Sequence, residues 1–138
     1  MKNILTAFLL CLLPYATQAG DLAKGDSTRA EIVKALHASK DYAPAEGMKF
    51  DVRRAWASKK FAYFCALLID ETGHYEMTDD QYDQEQIILV KEAGVWKPVG
   101  GMGGFATSPR KVICLPEPGF DLSDEYLKQK LKKEGVNY

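Results

Sequence analysis

The chain has 138 residues, with 18 Lys and Arg against 19 Asp and Glu and a formal net charge of −1. This length suits one domain rather than two. The near-neutral balance lacks the strong basic excess that is typical of general nucleic-acid binders. We therefore predict a single domain with no nucleic-acid partner.

The first nineteen residues have the layout of a secretory signal peptide. Lys2 is a short positive region, residues 4–13 are an apolar run, and residues 17–19 (Thr-Gln-Ala) place small side chains at a usual cleavage position. A membrane anchor is the alternative, but such a run spans about 15 Å as a helix, roughly half of a bilayer core. We expect residues 1–19 to be cleaved. Residues 20–138 would then form one periplasmic or secreted domain with no integral membrane segment.

Export determines how the cysteines are interpreted. Cys11 would leave with the signal peptide, and the mature chain would keep Cys65 and Cys114. Two cysteines in an oxidising compartment usually pair. The alternative is two separate buried thiols that pack as small apolar groups. We predict a Cys65–Cys114 disulfide, which would close a loop of about fifty residues and stabilise the fold by roughly 3–4 kcal/mol.

A helix is the first element predicted in the mature domain. Residues 28–31 (Thr-Arg-Ala-Glu) fit a capping box, with Asp26 and Ser27 as alternative caps. The helix is expected to end near Lys40. Its apolar stripe recurs at helical spacing and comprises Ile32, Ala35, Leu36 and Ser39.

Two strands are predicted next, joined by the short turn 58–60. Residues 48–57 alternate between apolar and charged side chains, as in a half-buried strand. Residues 61–70 are uncharged up to Asp70 and rich in aromatics, which is typical of a strand buried on both faces. We expect residues 61–70 to be the central strand of the sheet. The apolar face of the first strand is predicted to carry Met48, Phe50, Val52 and Trp56, with Arg54 interrupting it.

Residues 70–85 change character, with seven acidic residues and no Lys or Arg. We predict a long exposed loop there. The acids lack the positions and the central glycine of a calcium-binding EF-hand loop. The sequence shows no other metal site, no catalytic motif and no cofactor motif. The seven acidic residues are Asp70, Glu71, Glu76, Asp79, Asp80, Asp83 and Glu85.

The rest of the chain is predicted to hold a second hairpin, a short strand and a helix. The hairpin strands are residues 86–91 and 95–99. The glycine-rich residues 100–104 resemble a phosphate-cradling loop, but no helical pattern follows them, so we prefer a bulged or strongly bent strand. A last strand is expected at residues 111–115 and a helix at residues 124–134.

Helices at the ends and strands in the middle predict an α+β fold. We expect an N-terminal helix packed on a curved antiparallel sheet of four to five strands, with a short C-terminal helix. The runs F-D-V-R-R-A-W-A-S-K-K-F-A-Y-F and I-I-L-V-K-E-A-G-V-W-K-P-V resemble small exported bacterial proteins of the nuclear-transport-factor and cystatin-like superfamilies. The resemblance covers about residues 27–99. It implies a cone-shaped fold but no activity, since that fold carries isomerases, dehydratases and binding modules.

An enzyme or small-ligand-binding protein of the cone-shaped fold is one functional hypothesis. Isomerases of this type place a carboxylate base and a tyrosine or an acid in an apolar pocket. Asp51, Tyr63 and the two histidines, His37 and His74, are candidates for these roles. By alternation, however, Asp51 lies on the solvent side with Lys49 and Arg53. We assign no catalytic residue.

The hypothesis that we prefer is a non-enzymatic binding or inhibitor-type protein, such as one that confers immunity to a cell-envelope toxin or hydrolase. A stapled scaffold that displays an acidic loop suits a basic protein partner. Aromatic side chains among the acids would act as anchors. The alternative is that the acids serve solubility alone. The predicted binding residues are Tyr75, Asp79, Asp80, Tyr82 and Asp83.

Overall fold

The computed structural model describes residues 19–117 and 119–138, so the predicted signal peptide lies outside the described residues except for Ala19. No helix in these ranges is long and apolar enough to cross a membrane. Seven strands and two helices follow one another within these described ranges. They are β1 (Gly20–Asp21), α1 (Ser27–Ala38), β2 (Met48–Ala57), β3 (Phe61–Asp70), β4 (Met77–Thr78), β5 (Gln81–Glu92), β6 (Val95–Gly101), β7 (Gly104–Ala106) and α2 (Asp124–Lys133).

The structure confirms an α+β fold with an antiparallel sheet. The sheet has seven strands rather than four to five. The added strands β1, β4 and β7 have two, two and three residues, too few to show an alternating pattern. The first helix is not the first element, because β1 precedes it and pairs with the end of β2.

Strand β3 is the centre of the sheet, as the sequence predicts. It pairs with β2 on one side and β5 on the other, and residues 61–68 are all buried. Ile32 and Leu36 of α1 pack on one face of the sheet, in a core with Phe64. Leu127 and Leu131 of α2 pack on the opposite face. The apolar run is therefore explained by burial on both faces.

A β-bulge in β2 changes which side chains face each helix. The register with β3 shifts between Val52 and Arg54, so Arg53 is the extra residue. Before the bulge Val52 packs against the α1 core, whereas after it Trp56 packs in the α2 core. Placing Trp56 on the same face as Val52 was therefore wrong, because a bulge reverses the alternation that follows it.

Residues 107–117 and 119–122, here called the covering segment, form no strand, and they pack on the α2 side of the sheet through Val112, Cys114, Leu115 and Leu122. The predicted strand at residues 111–115 is therefore wrong. Cys114 forms the predicted disulfide with Cys65, at a Cα–Cα distance of 6.0 Å. The side-chain amide of Gln84 donates a 2.7 Å hydrogen bond to the Ile113 carbonyl. The backbone of the covering segment is not paired with a strand. A disulfide and side-chain hydrogen bonds hold it on the sheet instead.

The glycine-rich residues 100–104 form a bulged, broken strand, as predicted. Leu89 pairs with Pro98 and Ile88 with Gly100, which leaves Val99 as the extra residue of β6. A Cβ atom built on Gly101 would lie 2.8 Å from the Tyr42 ring. Glycine is needed there because the backbone closely approaches an aromatic side chain.

Candidate functional site at the acidic end of the sheet

Residues 70–85 contain paired strands, so the prediction of one long exposed loop was wrong. Tyr75 bridges back to Ile69 beside the end of β3, and β4 then pairs with the start of β5. Only Asp79 and Asp80 connect β4 to β5, with φ angles of 50° and 62°. Two successive positive φ values are those of the tight hairpin turn that the twist of the strands favours, and Asp tolerates them better than most residues.

The structure separates the five predicted binding residues into three places. Tyr75 and Tyr82 lie together, with their ring centroids 6.0 Å apart in an edge-to-face arrangement. Asp79 and Asp80 are exposed at the tip of the hairpin. Asp83 lies on β5, where it accepts a 3.0 Å hydrogen bond from the Thr78 hydroxyl.

The tyrosine pair is built into a polar cluster rather than displayed. The Tyr75 hydroxyl donates a 2.7 Å hydrogen bond to Asp51, and Arg53 binds the same carboxylate oxygen at 2.8 Å. The hydrogen bond to Asp51 raises the pKa of Tyr75. Tyr75 and Tyr82 are half-buried. Both rings are therefore partly accessible, and their role as aromatic anchors stays a prediction.

Asp51 is not the fully solvent-facing residue that alternation predicts. Its side chain is 34% exposed and forms an ion pair with Arg53. Arg53 also donates to the Pro109 carbonyl of the covering segment. The bulge at Arg53 and the covering segment create this environment, and neither is visible in the alternation of β2.

Tyr63, another catalytic candidate, supports the covering segment. Its hydroxyl donates a 2.6 Å hydrogen bond to the Gln86 side chain and accepts a 2.9 Å hydrogen bond from the Leu115 N–H. Tyr63 is fully buried, and this burial raises the pKa of its hydroxyl far above the ordinary value. The hydroxyl therefore already donates one hydrogen bond and accepts another within the fold.

Sequence reasoning missed two carboxylates on the α1 side of the sheet, Glu76 and Glu85. Glu85 pairs with Ala66, which faces α1, and Asp83 follows the same alternation. Burial, followed by repulsion from Glu76 and Asp83, raises the pKa of Glu85. Burial and repulsion from Asp83 likewise raise the pKa of Glu76. Glu85 lies two residues before the buried Ile87 and therefore on the same face of the strand. This spacing could have predicted its position on the α1 side.

Acidic residues without a basic partner are clustered on the β4–β5 hairpin and in the residues next to it. None of them takes part in an ion pair within the ranges that the structure describes. Asp70, by contrast, lies 4.0 Å from the His74 ring. We call this group the acidic end: Glu71, Glu76, Asp79, Asp80, Asp83 and Glu85.

A pocket of about 190 Å³ opens beside the acidic end, between the α1–β2 connection and the sheet. Glu76 and Glu85 line it together with the apolar side chains of Phe50 and Leu68. Carboxylates set in apolar walls suit the long apolar stem and charged tip of a lysine or arginine side chain.

Two large apolar side chains are exposed on the strands of the acidic end. Phe105 is 59% exposed and lies opposite Asp83 in the pairing of β5 with β7. Met77 on β4 is 46% exposed. These are apolar contacts that a partner could bury next to the carboxylates, and of the two only Phe105 lies outside the residues 70–85 in which the sequence predicts a partner surface.

No group of three or more His, Cys, Asp and Glu side chains among the described residues is placed to hold a metal ion. Comparison of the chain with protein-family models, with curated proteins and with solved structures found no match.

Proposed function

We propose that this protein is an exported, non-enzymatic binding protein that presents its acidic end to a basic protein partner. The observation that carries the proposal is the set of unpaired carboxylates at one end of the sheet. Burial, and then repulsion from neighbouring carboxylates, raise the pKa values of Glu76 and Glu85. A partner that supplies cations would relieve this repulsion.

The scaffold beneath the acidic end supports this proposal. Asp79 and Asp80 connect paired strands, so the acids are held in place and little order has to be gained on binding. Exposed Phe105 and Met77 supply apolar area among the charges. An aromatic side chain beside a charged rim is a common arrangement at protein interfaces.

Export is supported by the sequence layout of residues 1–19 and by the cysteine pair. The Cys65–Cys114 disulfide is compatible with an oxidising compartment. A toxin, or a hydrolase that acts on the cell envelope, is the class of basic partner that such an inhibitor would meet there.

The test is a pair of matched baits in periplasmic extract. One bait carries Asp79→Asn, Asp80→Asn and Asp83→Asn, and the control carries Asp121→Asn, Glu125→Gln and Glu134→Gln, which remove the same charge from exposed positions elsewhere. A basic protein should bind the wild type and the control more strongly than the first bait. Its association rate should fall steeply with salt for the wild type and less steeply for the first bait. Equal binding to the two variants would contradict the proposal.

A further inference from the structure

The end of the sheet opposite the acidic end carries a cluster of lysines. Strand β3 runs for ten residues, about 30 Å, from Phe61 at this end to Asp70 near the acidic end. None of these lysines takes part in an ion pair within residues 19–117 and 119–138. The two ends of the sheet therefore carry opposite charge. We call this group the basic end: Lys59, Lys60, Lys91 and Lys128.

Local contacts bring the four lysines into one patch. The ammonium groups of Lys60 and Lys128 lie 5.8 and 5.9 Å from the centroid of the same ring, that of Phe61. The Lys91 N–H donates a 2.8 Å hydrogen bond to the Lys60 carbonyl, which places the end of β5 beside the β2–β3 turn. Lys59 is exposed in that turn. A negatively charged surface that approaches this end of the sheet would therefore meet several cations at once.

The acidic groups that adjoin the basic end do not cancel its charge. Asp21 and Glu92 each form a 2.7 Å ion pair with a base that is not one of the four lysines. Asp124, in the first turn of α2, and the α-carboxylate at Tyr138 are further negative charges on the adjoining elements. These two groups offset part of the lysine charge and leave the basic end positive.

The chain enters the fold at the basic end. Gly20 of β1 pairs with Ala57, the last residue of β2 before the turn that carries Lys59. The apolar run of residues 4–13 joins the sheet here through residues 14–19, which extend over at most about 20 Å. That reach is shorter than β3. An apolar run inserted in the exporting membrane would therefore keep the basic end, and not the acidic end, next to the lipid headgroups.

We propose that the basic end docks on the anionic headgroups of a phospholipid membrane, with the acidic end facing away from the bilayer. The negative surface potential of such a membrane attracts the lysines and repels the acids at the other end, so both effects favour the same orientation. Tyr138 is 50% exposed beside the lysines, and tyrosine is enriched at membrane–water interfaces. The docking does not depend on the protein partner proposed for the acidic end, and it leaves that end accessible.

The acidic end of a second copy is the other surface of matching charge. Such a head-to-tail contact does not close on itself and would build open chains of molecules. It would also leave the entry of the apolar run at the basic end without a role. The position of that entry favours the membrane as the occupant.

The first test is sedimentation of the mature, disulfide-intact protein with phospholipid vesicles at low salt. The protein should bind vesicles of equal parts phosphatidylglycerol and phosphatidylcholine at least about tenfold more strongly than vesicles of phosphatidylcholine alone. Binding should weaken as salt is added, because ions screen the lysine charges. Absence of binding to the phosphatidylglycerol vesicles at low salt, or equal binding to the two kinds of vesicle, would overturn the proposal.

Matched variants separate the basic end from the total charge. Lys59→Gln combined with Lys128→Gln should weaken binding to phosphatidylglycerol vesicles by about tenfold or more. Lys59→Arg with Lys128→Arg keeps both charges and should bind like the wild type. Lys40→Gln with Lys49→Gln is the control, because it removes two exposed lysines outside the basic end, and it should change binding less than about twofold. An equal loss in the two Gln pairs would show that total charge alone drives binding and would overturn the proposal.

Acetylation of lysines, followed by mass spectrometry, locates the contact. Phosphatidylglycerol vesicles should protect Lys59 and Lys128 from an acetylating reagent more than they protect Lys40 and Lys49. Equal protection at all four positions would overturn the proposed orientation. Protection of Lys59 and Lys128 that rises with protein concentration in the absence of vesicles would assign the basic end to a second copy of the chain, and would overturn the proposal.

Discussion

Tyr63 and Leu115 lie 52 residues apart in the chain, and the Tyr63 hydroxyl accepts a 2.9 Å hydrogen bond from the Leu115 N–H. The same hydroxyl donates to Gln86 on the neighbouring strand. A side chain of the central strand thus replaces the strand partner that Leu115 lacks. Backbone groups that are buried without a partner are costly, so this contact helps to hold the covering segment on the sheet.

The first prediction concerns this hydrogen bond. Tyr63→Phe should lower the free energy of unfolding by about 1–3 kcal/mol, because it leaves the Leu115 N–H and the Gln86 side chain without their partner. Urea unfolding of the oxidised protein measures the change. Tyr126→Phe is the control, since the hydrogen bond that the Tyr126 hydroxyl accepts from the Glu117 N–H is long, at 3.4 Å, and exposed. A loss for Tyr63→Phe no greater than that for the control would show that the contact contributes nothing.

The second prediction concerns the disulfide. Alkylation of the mature protein without reductant should label neither Cys65 nor Cys114. Replacing both by Ser should cost about 2–4 kcal/mol, because the crosslink restricts the unfolded chain over a separation of 49 residues. Urea unfolding of the double variant, compared with the oxidised wild type, measures this loss. Two labelled thiols in freshly isolated protein would refute the pairing.

The third prediction concerns the charge on Glu85. Its pKa is raised in the folded state, so the ionised form destabilises the fold at any pH above that raised pKa. Glu85→Gln should therefore raise the thermal midpoint at pH 7. The gain should fade as the pH falls through the raised pKa and should be absent below 4.5, the ordinary value for Glu, because wild-type Glu85 is then protonated in both states.

Thermal unfolding at several pH values measures this difference. Glu46→Gln removes an exposed carboxylate and is the control, for which we expect little change at any pH. A midpoint for Glu85→Gln that is lower than that of the wild type at pH 7 would show that Glu85 is stabilised by its surroundings rather than strained by them.

Several parts of the fold could be predicted because the residues that decide them are close in sequence. The uncharged run of β3 requires burial on both faces, and helix α2 follows its Ser123 cap. The disulfide was predicted from the number of cysteines in a chain that we expect to be exported. The resemblance to the nuclear-transport-factor and cystatin-like superfamilies stays a prediction.

The errors arose where distant contacts decide the structure. The bulge at Arg53 depends on register with β3, and the covering segment depends on side chains more than fifty positions away, such as Arg53 for Pro109. The first residues of β5 are polar, so their pattern did not indicate a strand. Asp79-Asp80 lacks the glycine that usually marks a two-residue turn. For these two reasons the β4–β5 hairpin was predicted as a loop.

The last prediction separates the shape of the hairpin from its charge. Asp79→Asn combined with Asp80→Gly keeps the two positive φ angles, with residues that adopt them at lower cost. The double variant should unfold at a slightly higher temperature, by an amount that corresponds to roughly 0.5–1 kcal/mol. It also removes two negative charges from the acidic end. Association with a basic partner should therefore become slower and less sensitive to salt, although the hairpin is more stable.

Thermal unfolding tests the expected gain in stability. Association rates at low and high salt, measured on the same preparation, test the expected effect of the lost charge. The charge-conserving variant Asp79→Glu is not a suitable control, because Glu tolerates positive φ poorly. Asp121→Asn with Glu125→Gln is suitable, since it removes two exposed acids away from the hairpin. If the double hairpin variant associates with a partner as fast as this control at low salt, the acidic end does not steer binding, and its charge serves solubility alone.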